Sequence, residues 1–177
     1  LLARSGRIRI KLPSSHHDWE GGQEEVKVNG IPVSGAVKTD KGYWMIQRSW
    51  QPGDTVSCEM EMEPERVYAH PMVRADAGCV ALRCGPIIYT FEGVDNGEDL
   101  QTLRIPREAK IEAISYQADL LEGIVALRVT GCRKKTAVNP ALYAEDAAPE
   151  EMVTLQAIPY YAWCNRGMTH MRVWMQE

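Results

Sequence analysis

The stretch Thr55–Glu63 (TVSCEMEME) alternates strictly between apolar and polar residues. Its apolar positions are Val56, Cys58, Met60 and Met62. Successive side chains of a β-strand point to opposite faces of a sheet, so this period of two predicts a strand with one face in a core and the other in water. Such a strand is typical of an antiparallel sheet that is solvated on one side.

Short segments of the same kind recur along the whole chain. Val26–Gly30 (VKVNG) ends in Asn-Gly, which favours a two-residue hairpin turn, and Gln51–Asp54 (QPGD) predicts another turn. Further strands are predicted at Arg7–Leu12, Gly42–Trp50, Arg66–His70, Cys79–Arg83, Ile87–Glu92, Thr102–Ile105, Lys110–Tyr116, Ile124–Val129, Met152–Ile158 and Met171–Met175. No window carries a sustained helical stripe, and a single helical turn is expected at Gln117–Leu121. We therefore predict an all-β fold of two tandem antiparallel β-sandwich, jelly-roll-like domains.

The most polar and turn-rich break in the chain is Asp95–Asp99 (DNGED). Clusters of Gly, Asn and Asp between periodic segments are typical of loops and linkers. We therefore predict a first domain at residues 1–97 and a second at 98–177. The last strand, near residues 170–176, is expected to be able to pack back on the first domain.

Composition excludes several classes of function. The 177 residues carry a net charge of −4, with acidic and basic residues interspersed, so no basic stripe is present that would favour a nucleic-acid partner. No apolar run approaches the roughly 18–20 residues that span a bilayer, and no signal peptide is recognisable. Because the sequence starts with leucine, we expect a fragment or processed product. It is expected to be a soluble protein of the cytoplasm or periplasm, and the compartment stays undetermined.

The cysteines and histidines do not form a metal-binding or disulfide pattern. The cysteines are odd in number and irregularly spaced, at positions 58, 79, 84, 132 and 164, so we expect reduced structural thiols. Cys79 and Cys84 would fall on opposite faces of one strand. His16, His17, Asp18 and Glu20 are interpreted as a solvated loop, because neighbouring residues of an extended chain point apart.

The segment Leu155–Met175 (LQAIPYYAWCNRGMTHMRVWM) is the densest aromatic run of the chain. Its rings, together with Trp44, can be explained by core or interdomain packing, or by stacking on sugars. The candidates for sugar or interdomain contact are Trp163, Tyr160, Tyr161, Asn165, Arg166 and Trp44, with Asn165 and Arg166 as polar partners of Trp163.

No catalytic residues can be singled out. Glycosidase chemistry needs two carboxyl groups that face each other across a sugar. The chain has 24 acidic residues, but those in clear strand register, such as Glu59, Glu61 and Glu63, lie on the polar face. Cys164 has no neighbouring base in the local sequence that would activate it as a nucleophile.

Several sequence segments, in the same order along the chain, resemble the C-terminal part of glycoside hydrolase family 127, the β-L-arabinofuranosidase family. They are Gly42–Asp54, Arg66–Pro71, Val80–Tyr89 with Glu92–Asn96, Ala157–Gly167 and Met171–Trp174. The resemblance covers essentially the whole chain.

This resemblance implies that catalysis is carried by an N-terminal (α/α)6 barrel, which holds a cysteine nucleophile, a glutamate acid/base and a zinc ion. None of these residues maps to this chain, and its five cysteines do not match the family's metal-binding positions. The resemblance thus implies no catalytic residue, metal ligand or cofactor here. It implies the missing barrel as a partner and the terminal sandwich as a homodimer contact. Trp19, Trp44 and the 160–163 run are candidates for a surface that covers the barrel.

Three hypotheses follow. The first is a non-catalytic accessory β-sandwich region of a β-L-arabinofuranosidase-like glycoside hydrolase, which supports the barrel and assembly. The second is a carbohydrate-binding module for arabinose-containing glycans. The third is an independent hydrolase with an unrecognised carboxylate pair.

Overall fold

The computed structural model describes residues 4–11, 25–33, 37–38, 43–59, 62–135, 143 and 145–177. Strands dominate these residues, which confirms the all-β prediction. The strands are β1 (Arg4–Lys11), β2 (Glu25–Val28), β3 (Ile31–Pro32), β4 (Val37–Lys38), β5 (Tyr43–Trp50), β6 (Val56–Glu59), β7 (Pro64–Val67), β8 (Cys79–Cys84), β9 (Ile87–Glu92), β10 (Leu103–Arg104), β11 (Ile111–Ala113), β12 (Leu127–Lys134), β13 (Glu150–Pro159), β14 (Met171–Arg172) and β15 (Met175–Gln176).

Helical structure is limited to short turns in the described part of the chain. One α-helical turn, α1, spans Gly93–Asn96, and 3-10 turns form at Arg74–Asp76, Leu100–Thr102 and Tyr160–Ala162. None of these helices is long and apolar enough to cross a membrane. The helical turn expected at 117–121 is instead a hydrogen-bonded loop, because Gln117 pairs with Ile124 as a β-bridge.

The chain divides into two compact units, Leu1–Met62 and Glu63–Glu177. The expected boundary at residue 97 therefore lies inside the second unit and is corrected here. The polar stretch that suggested it forms α1 and the turn after it, and the strands on its two sides pair with each other. In particular, β15 pairs with β8, and β13 and β14 pair with β9. The expected return of the last strand onto earlier strands is thus the reason why the second unit cannot be cut at residue 97.

In the first unit, two three-stranded antiparallel sheets form in the orders β1-β5-β4 and β3-β2-β6. Val26, Val28 and Ile46 are buried, and Trp50, Val56 and Cys58 are packed against them. Because these residues come from both sheets, the two inner faces share one core, as in a β-sandwich.

The turns of the first unit follow their local chemistry. Asn29 and Gly30 both have positive φ, +54° and +77°, as the predicted Asn-Gly hairpin turn requires. The Asn29 side chain also accepts from the Thr55 N–H at 2.9 Å and donates to Asp54 at 2.8 Å, which joins the two predicted turns. In β6, Val56 and Cys58 face the core as expected, whereas Met60 lies outside the described residues. Met62 is exposed because it lies beyond the end of the strand.

The second unit is a ring of hydrogen-bonded strands. Pairing runs in the order β14-β9-β13-β12-β10-β15-β8-β7, and β8 also pairs with β9, so the strands from β8 round to β9 close on themselves. The pairs are antiparallel except β10–β15, which is parallel at Arg104 and Gln176. The ring encloses a core that includes Leu82, Tyr89, Phe91, Leu103, Leu127, Leu155 and Met175, each at most 1% exposed.

Gly131 of β12 lies close to residues of both neighbouring strands, β10 and β13. A Cβ atom there would lie 2.4 Å from Cδ1 of the buried Leu155 and 2.8 Å from the carbonyl oxygen of Arg104. Neither atom has room to move in a packed core, so only glycine fits this position.

We predict that Gly131→Ala lowers the free energy of unfolding by about 1–3 kcal/mol, the usual cost of overpacking a core. Urea unfolding followed by circular dichroism would measure the change. Thr130→Ala, at an exposed position of the same strand, is the matched control and should change stability by less than about 0.5 kcal/mol. Equal stability of Gly131→Ala and the wild type would contradict the packing described above.

Candidate functional site

The aromatic residues of the C-terminal segment lie on the surface of the second unit. After Pro159 ends β13, Tyr160–Ala162 form a 3-10 turn. Ala162 is buried, whereas Tyr160, Tyr161 and Trp163 are 44%, 67% and 36% exposed. We call these three rings the aromatic surface. Two of the six candidate residues, Trp163 and Asn165, lie on this exposed stretch and are separated by Cys164. The side chain of Trp44 in β5 lies outside the described residues.

Arg166 binds two carboxylates. Its Nη1 donates to Oδ1 of Asp95 at 2.8 Å, and its Nη2 is shared between Oε2 of Glu92 and Oδ2 of Asp95. The second oxygen of Glu92, Oε1, accepts the N–H of Cys164 at 2.7 Å. The side chain of Glu92 is completely inaccessible to solvent. We call Glu92, Asp95 and Arg166 the carboxylate–arginine cluster.

The local sequence explains the position of the two acids. Glu92 is the last residue of β9 and the N-cap of α1, and Asp95 follows three residues later. Residues three apart lie on the same side of a helical turn, so both carboxylates face the same guanidinium. Gly93 allows the close approach of the chain that carries Arg166, since a Cβ atom there would lie 3.0 Å from Oγ1 of Thr169.

Asn96 connects this cluster to β13. Its buried amide donates to the carbonyl oxygens of Glu92 and Gln156 at 2.9 and 2.8 Å and accepts the Gln156 N–H at 2.9 Å. The Arg133 guanidinium donates to the Asn96 carbonyl. Every polar atom of the Asn96 side chain is thus used, which makes α1 a rigid support for Glu92 and Asp95.

The electrostatics of the cluster favour permanent charge. Hydrogen bonds to Asp95 raise the pKa of Arg166 well above its ordinary value, partial burial opposes that rise, and bonds to Glu92 reinforce it. The guanidinium therefore stays charged and holds both acids. A carboxylate that is inaccessible and hydrogen-bonded through both oxygens cannot reach a sugar, so Glu92 is not placed to act as a glycosidase acid or nucleophile.

Glu177 forms a second ionic cluster with Tyr68, Arg66 and Arg107. Oε1 of Glu177 accepts from the Tyr68 hydroxyl at 2.7 Å and from Arg66 at 3.3 Å, and Oε2 accepts from Arg107 at 2.7 Å. The hydrogen bond from Tyr68 is the largest cause that lowers the pKa of Glu177, and the two arginines lower it further. The hydrogen bond between Tyr68 and Glu177 also raises the pKa of Tyr68. A cleft of about 600 Å³ beside this cluster is lined by Arg104, Arg107, Thr130, Met152 and Glu177, among others.

Two further clefts of about 520 Å³ each lie beside α1 and the segment after the aromatic surface. Both are lined in part by Glu98 and His170, and one of them also by Val94, Arg166 and Met168. The rings of the aromatic surface line neither cleft.

The thiols and acids of the described residues do not fit a metal site. None of the five cysteines is part of a disulfide; Cys84 and Cys132 are buried, and burial raises the pKa of Cys84. No group of three His, Cys, Asp or Glu side chains in the part of the chain that the structure describes could hold a metal ion. His16, His17, Asp18 and Glu20 lie outside the described residues.

Two family models divide the chain at the same place as the structure. Residues 64–176 match the C-terminal domain of glycoside hydrolase family 127, and residues 3–62 match the middle domain of the same family, described as β-L-arabinofuranosidase. The chain belongs to glycoside hydrolase family 127. The first match coincides with the closed ring of strands and the second with the small two-sheet unit.

Individual family 127 proteins give the same assignment. The chain is 33% identical to a non-reducing end β-L-arabinofuranosidase of Bifidobacterium longum, over 98% of this chain and 26% of that protein. A crystal structure of a family 127 β-L-arabinofuranosidase from Geobacillus stearothermophilus T6 is 42% identical, with a TM-score of 0.82 over 99% of this chain and 27% of that one. A family 127 β-arabinofuranosidase of known structure is 28% identical, with a TM-score of 0.79 over 98% and 28% of the two chains. The chain thus spans about a quarter of the length of these relatives.

The carboxylate–arginine cluster was not found from the sequence. The sequence predicts Arg166 as a polar partner of Trp163, Glu92 as the end of a strand, and Asp95 and Asn96 as part of a polar break, and it gives no sign that the two acids and the arginine meet. The signal available was an apolar strand that ends in a glutamate, which has to be neutralised if the strand end is buried. Its partner lies 74 residues away, so spacing could not identify it.

We predict that Glu177→Gln lowers the free energy of unfolding by about 1–2 kcal/mol at neutral pH, because a charge-assisted acceptor is lost. The folded-state pKa of Glu177 lies below its ordinary 4.5, so its contribution is complete above pH 4.5 and is lost as the pH falls through the lowered folded value. The difference between wild type and variant should therefore shrink below pH 4.5. Urea unfolding at a series of pH values checks this.

The matched control for this experiment is Glu112→Gln, which removes an exposed pair with Lys110. That pair should contribute less than about 1 kcal/mol. A stability difference for Glu177→Gln that is constant between pH 3 and 7, or absent, would contradict the role given to Glu177.

Proposed function

We propose that this chain forms the non-catalytic β-sandwich region of a β-L-arabinofuranosidase-like glycoside hydrolase and that it supports the catalytic barrel of that enzyme. One observation carries this proposal. The two family models that match are those of the middle and C-terminal domains, and together they account for nearly every residue, while the relatives are almost four times as long.

The chemistry of the described residues supports the same conclusion. Hydrolysis of a glycosidic bond needs one carboxylic acid that can give a proton and a second carboxylate across the sugar. The buried Glu92 shares one arginine with Asp95 and has no access to solvent, and Glu177 is held by Tyr68 and two arginines. Catalysis is therefore assigned to the barrel.

The proposed partners follow from the exposed surface. Tyr160, Tyr161 and Trp163 form an apolar and aromatic patch of the kind that marks interaction sites. We assign this patch to contact with the barrel, within the same polypeptide or in a complex. Contact between the C-terminal sandwiches of two copies, forming a homodimer, belongs to the same proposal.

A chimera tests the supporting role. Replacing the matched region of the Geobacillus enzyme with this chain should give a soluble protein whose kcat/KM on an aryl β-L-arabinofuranoside is within about tenfold of the parent, because the catalytic groups are untouched. Deletion of the same region is the control and should abolish soluble expression or lower Tm, because it uncovers apolar surface.

The isolated chain is the second control for this experiment. It should not hydrolyse the aryl glycoside above the rate of a blank. Hydrolysis by the purified chain, or a deletion variant as stable and active as the parent, would overturn the proposed function.

A second candidate function is contact with arabinose-containing glycans at the aromatic surface. The observation in its favour is that the side chains of Tyr160, Tyr161 and Asn165, each with a polar group, are exposed. Exposed rings with polar groups at their edges suit sugars, which present both an apolar face and hydroxyl groups.

Calorimetric titration of the chain with arabino-oligosaccharides at millimolar concentration decides this second candidate. Binding through the aromatic surface predicts heat that Trp163→Ala weakens by about tenfold, which corresponds to about 1.4 kcal/mol for a stacked ring. Tyr143→Ala, which removes an exposed ring elsewhere, is the matched control and should leave binding unchanged. No heat, or equal loss in both variants, would exclude the aromatic surface as a glycan site.

A further inference from the structure

The segment that carries the aromatic surface is attached to the second unit by polar contacts and by one buried apolar residue, Ala162, which packs in a cluster with Ile124 and Ile158. Between Tyr160 and His170 only Ala162 is buried, and Arg166 and Thr169 are half-buried; the other residues are exposed. We call residues 160–170 the aromatic segment. A stretch with so little buried apolar surface has low local stability unless other contacts hold it.

The contacts that hold it converge on the end of β9 and the start of α1. Cys164 and Arg166 bind Glu92, as described above. In addition, the Val94 N–H donates to Oγ1 of Thr169 at 3.1 Å, and the Gly93 N–H donates to the carbonyl oxygen of His170 at 2.8 Å. These polar contacts all involve four consecutive residues, 92–95: Glu92 and Asp95 accept hydrogen bonds from the segment, and Gly93 and Val94 donate to it.

Among the residues of the segment that make these contacts, Arg166 is the most important. It lies between two residues with left-handed backbone, Cys164 at φ +64° and Gly167 at φ +113°. The left-handed region is unfavourable for cysteine, so the bond from the Cys164 N–H to Glu92 helps to keep this conformation. Without Arg166, the inaccessible Glu92 would be a buried charge without a counter-ion, which is strongly destabilising for the closed arrangement.

The ring of strands does not need the aromatic segment in order to stay closed. β13 pairs with β9 up to Pro159, and pairing resumes at Met171 on the same strand, β9. Asn96 fixes α1 to β13 through two hydrogen bonds with Gln156, and to the end of β9 through a third with the carbonyl oxygen of Glu92; none of the three involves Arg166. Residues 92–96 therefore remain in place when the aromatic segment moves away from them.

We propose that the carboxylate–arginine cluster is a latch. Arg166 holds the aromatic segment in one conformation, and releasing it lets residues 160–170 open as a unit while the ring of strands stays folded. The three rings of the aromatic surface are then presented together only in the latched state. Arg166 is a positioning residue, because it acts by holding the aromatic segment in place. The inference does not depend on what the aromatic surface binds.

Hydrogen exchange of the 177-residue chain tests the latch. In Arg166→Met, the amides of Trp163 and Cys164 should exchange at least about tenfold faster than in the wild type, because a buried ion pair is broken. The amides of β12 should stay within about twofold, because they report opening of the ring. Arg166→Lys should recover part of the protection, since an ammonium group can hold one carboxylate but lacks the planar fork that binds two.

The matched control is Arg104→Met, which removes a bidentate pair with Glu150 on β13, outside the segment. It should leave the exchange of Trp163 and Cys164 unchanged. Equal acceleration of the segment and β12 in Arg166→Met would show that the cluster stabilises the unit as a whole, and unchanged exchange would show that Arg166 holds nothing. Either result overturns the latch.

The wild type decides the question if Arg166→Met does not fold. In low concentrations of urea, the latch predicts that the Cys164 amide exchanges with a smaller opening free energy and a smaller dependence on urea than the β12 amides, because its opening exposes little surface. The same free energy and the same urea dependence for both sets would overturn the proposal.

Discussion

The second unit depends on the insertion of its last strand. Met175 and Gln176 pair with β8 on one side and with β10 on the other, and the Met175 side chain is fully buried in the core. The backbone continues these bonds at both ends: the Ile105 N–H donates to the carbonyl oxygen of Gln176, and the Glu177 N–H donates to that of Gly78. A two-residue strand thus satisfies two sheet edges that would otherwise carry unpaired N–H and C=O groups.

Local patterns in the sequence were sufficient for the strands and for several turns, because alternation and Asn-Gly chemistry act over a few residues. They predicted the inward face of Val56 and Cys58 and the hairpin at Asn29 and Gly30. They could not predict the ring, since its closure joins strands that are nearly a hundred positions apart. The polar stretch at 95–99 was interpreted as a linker for the same reason: its composition is that of a loop, and only the pairing on its two sides shows that it lies within one unit.

The candidate site also has one part that could be predicted from the sequence and one part that could not. The exposed rings were identified from their density alone, and the structure places Tyr160, Tyr161 and Trp163 at the surface. The role of Arg166 was not predictable, because its carboxylate partners are contributed by a distant strand end. From the sequence, an arginine close to an aromatic residue suggests a contact with a ligand. In the structure Arg166 instead pairs with the buried Glu92, because a charge without a partner inside a protein is costly. The family assignment rests on neither feature and comes from the match along the chain.

The position of β15 in the sequence also has a consequence during synthesis. β8 and β10 are complete long before Met175 is made, so a nascent chain, growing at about 5–20 residues per second, carries their open edges for several seconds. Contacts between distant positions are slow to form in any case, because the intervening chain must be ordered first. The second unit cannot fold progressively as it leaves the ribosome. Its newly made strands are exposed to pairing with other nascent chains until Met175 and Gln176 have been made.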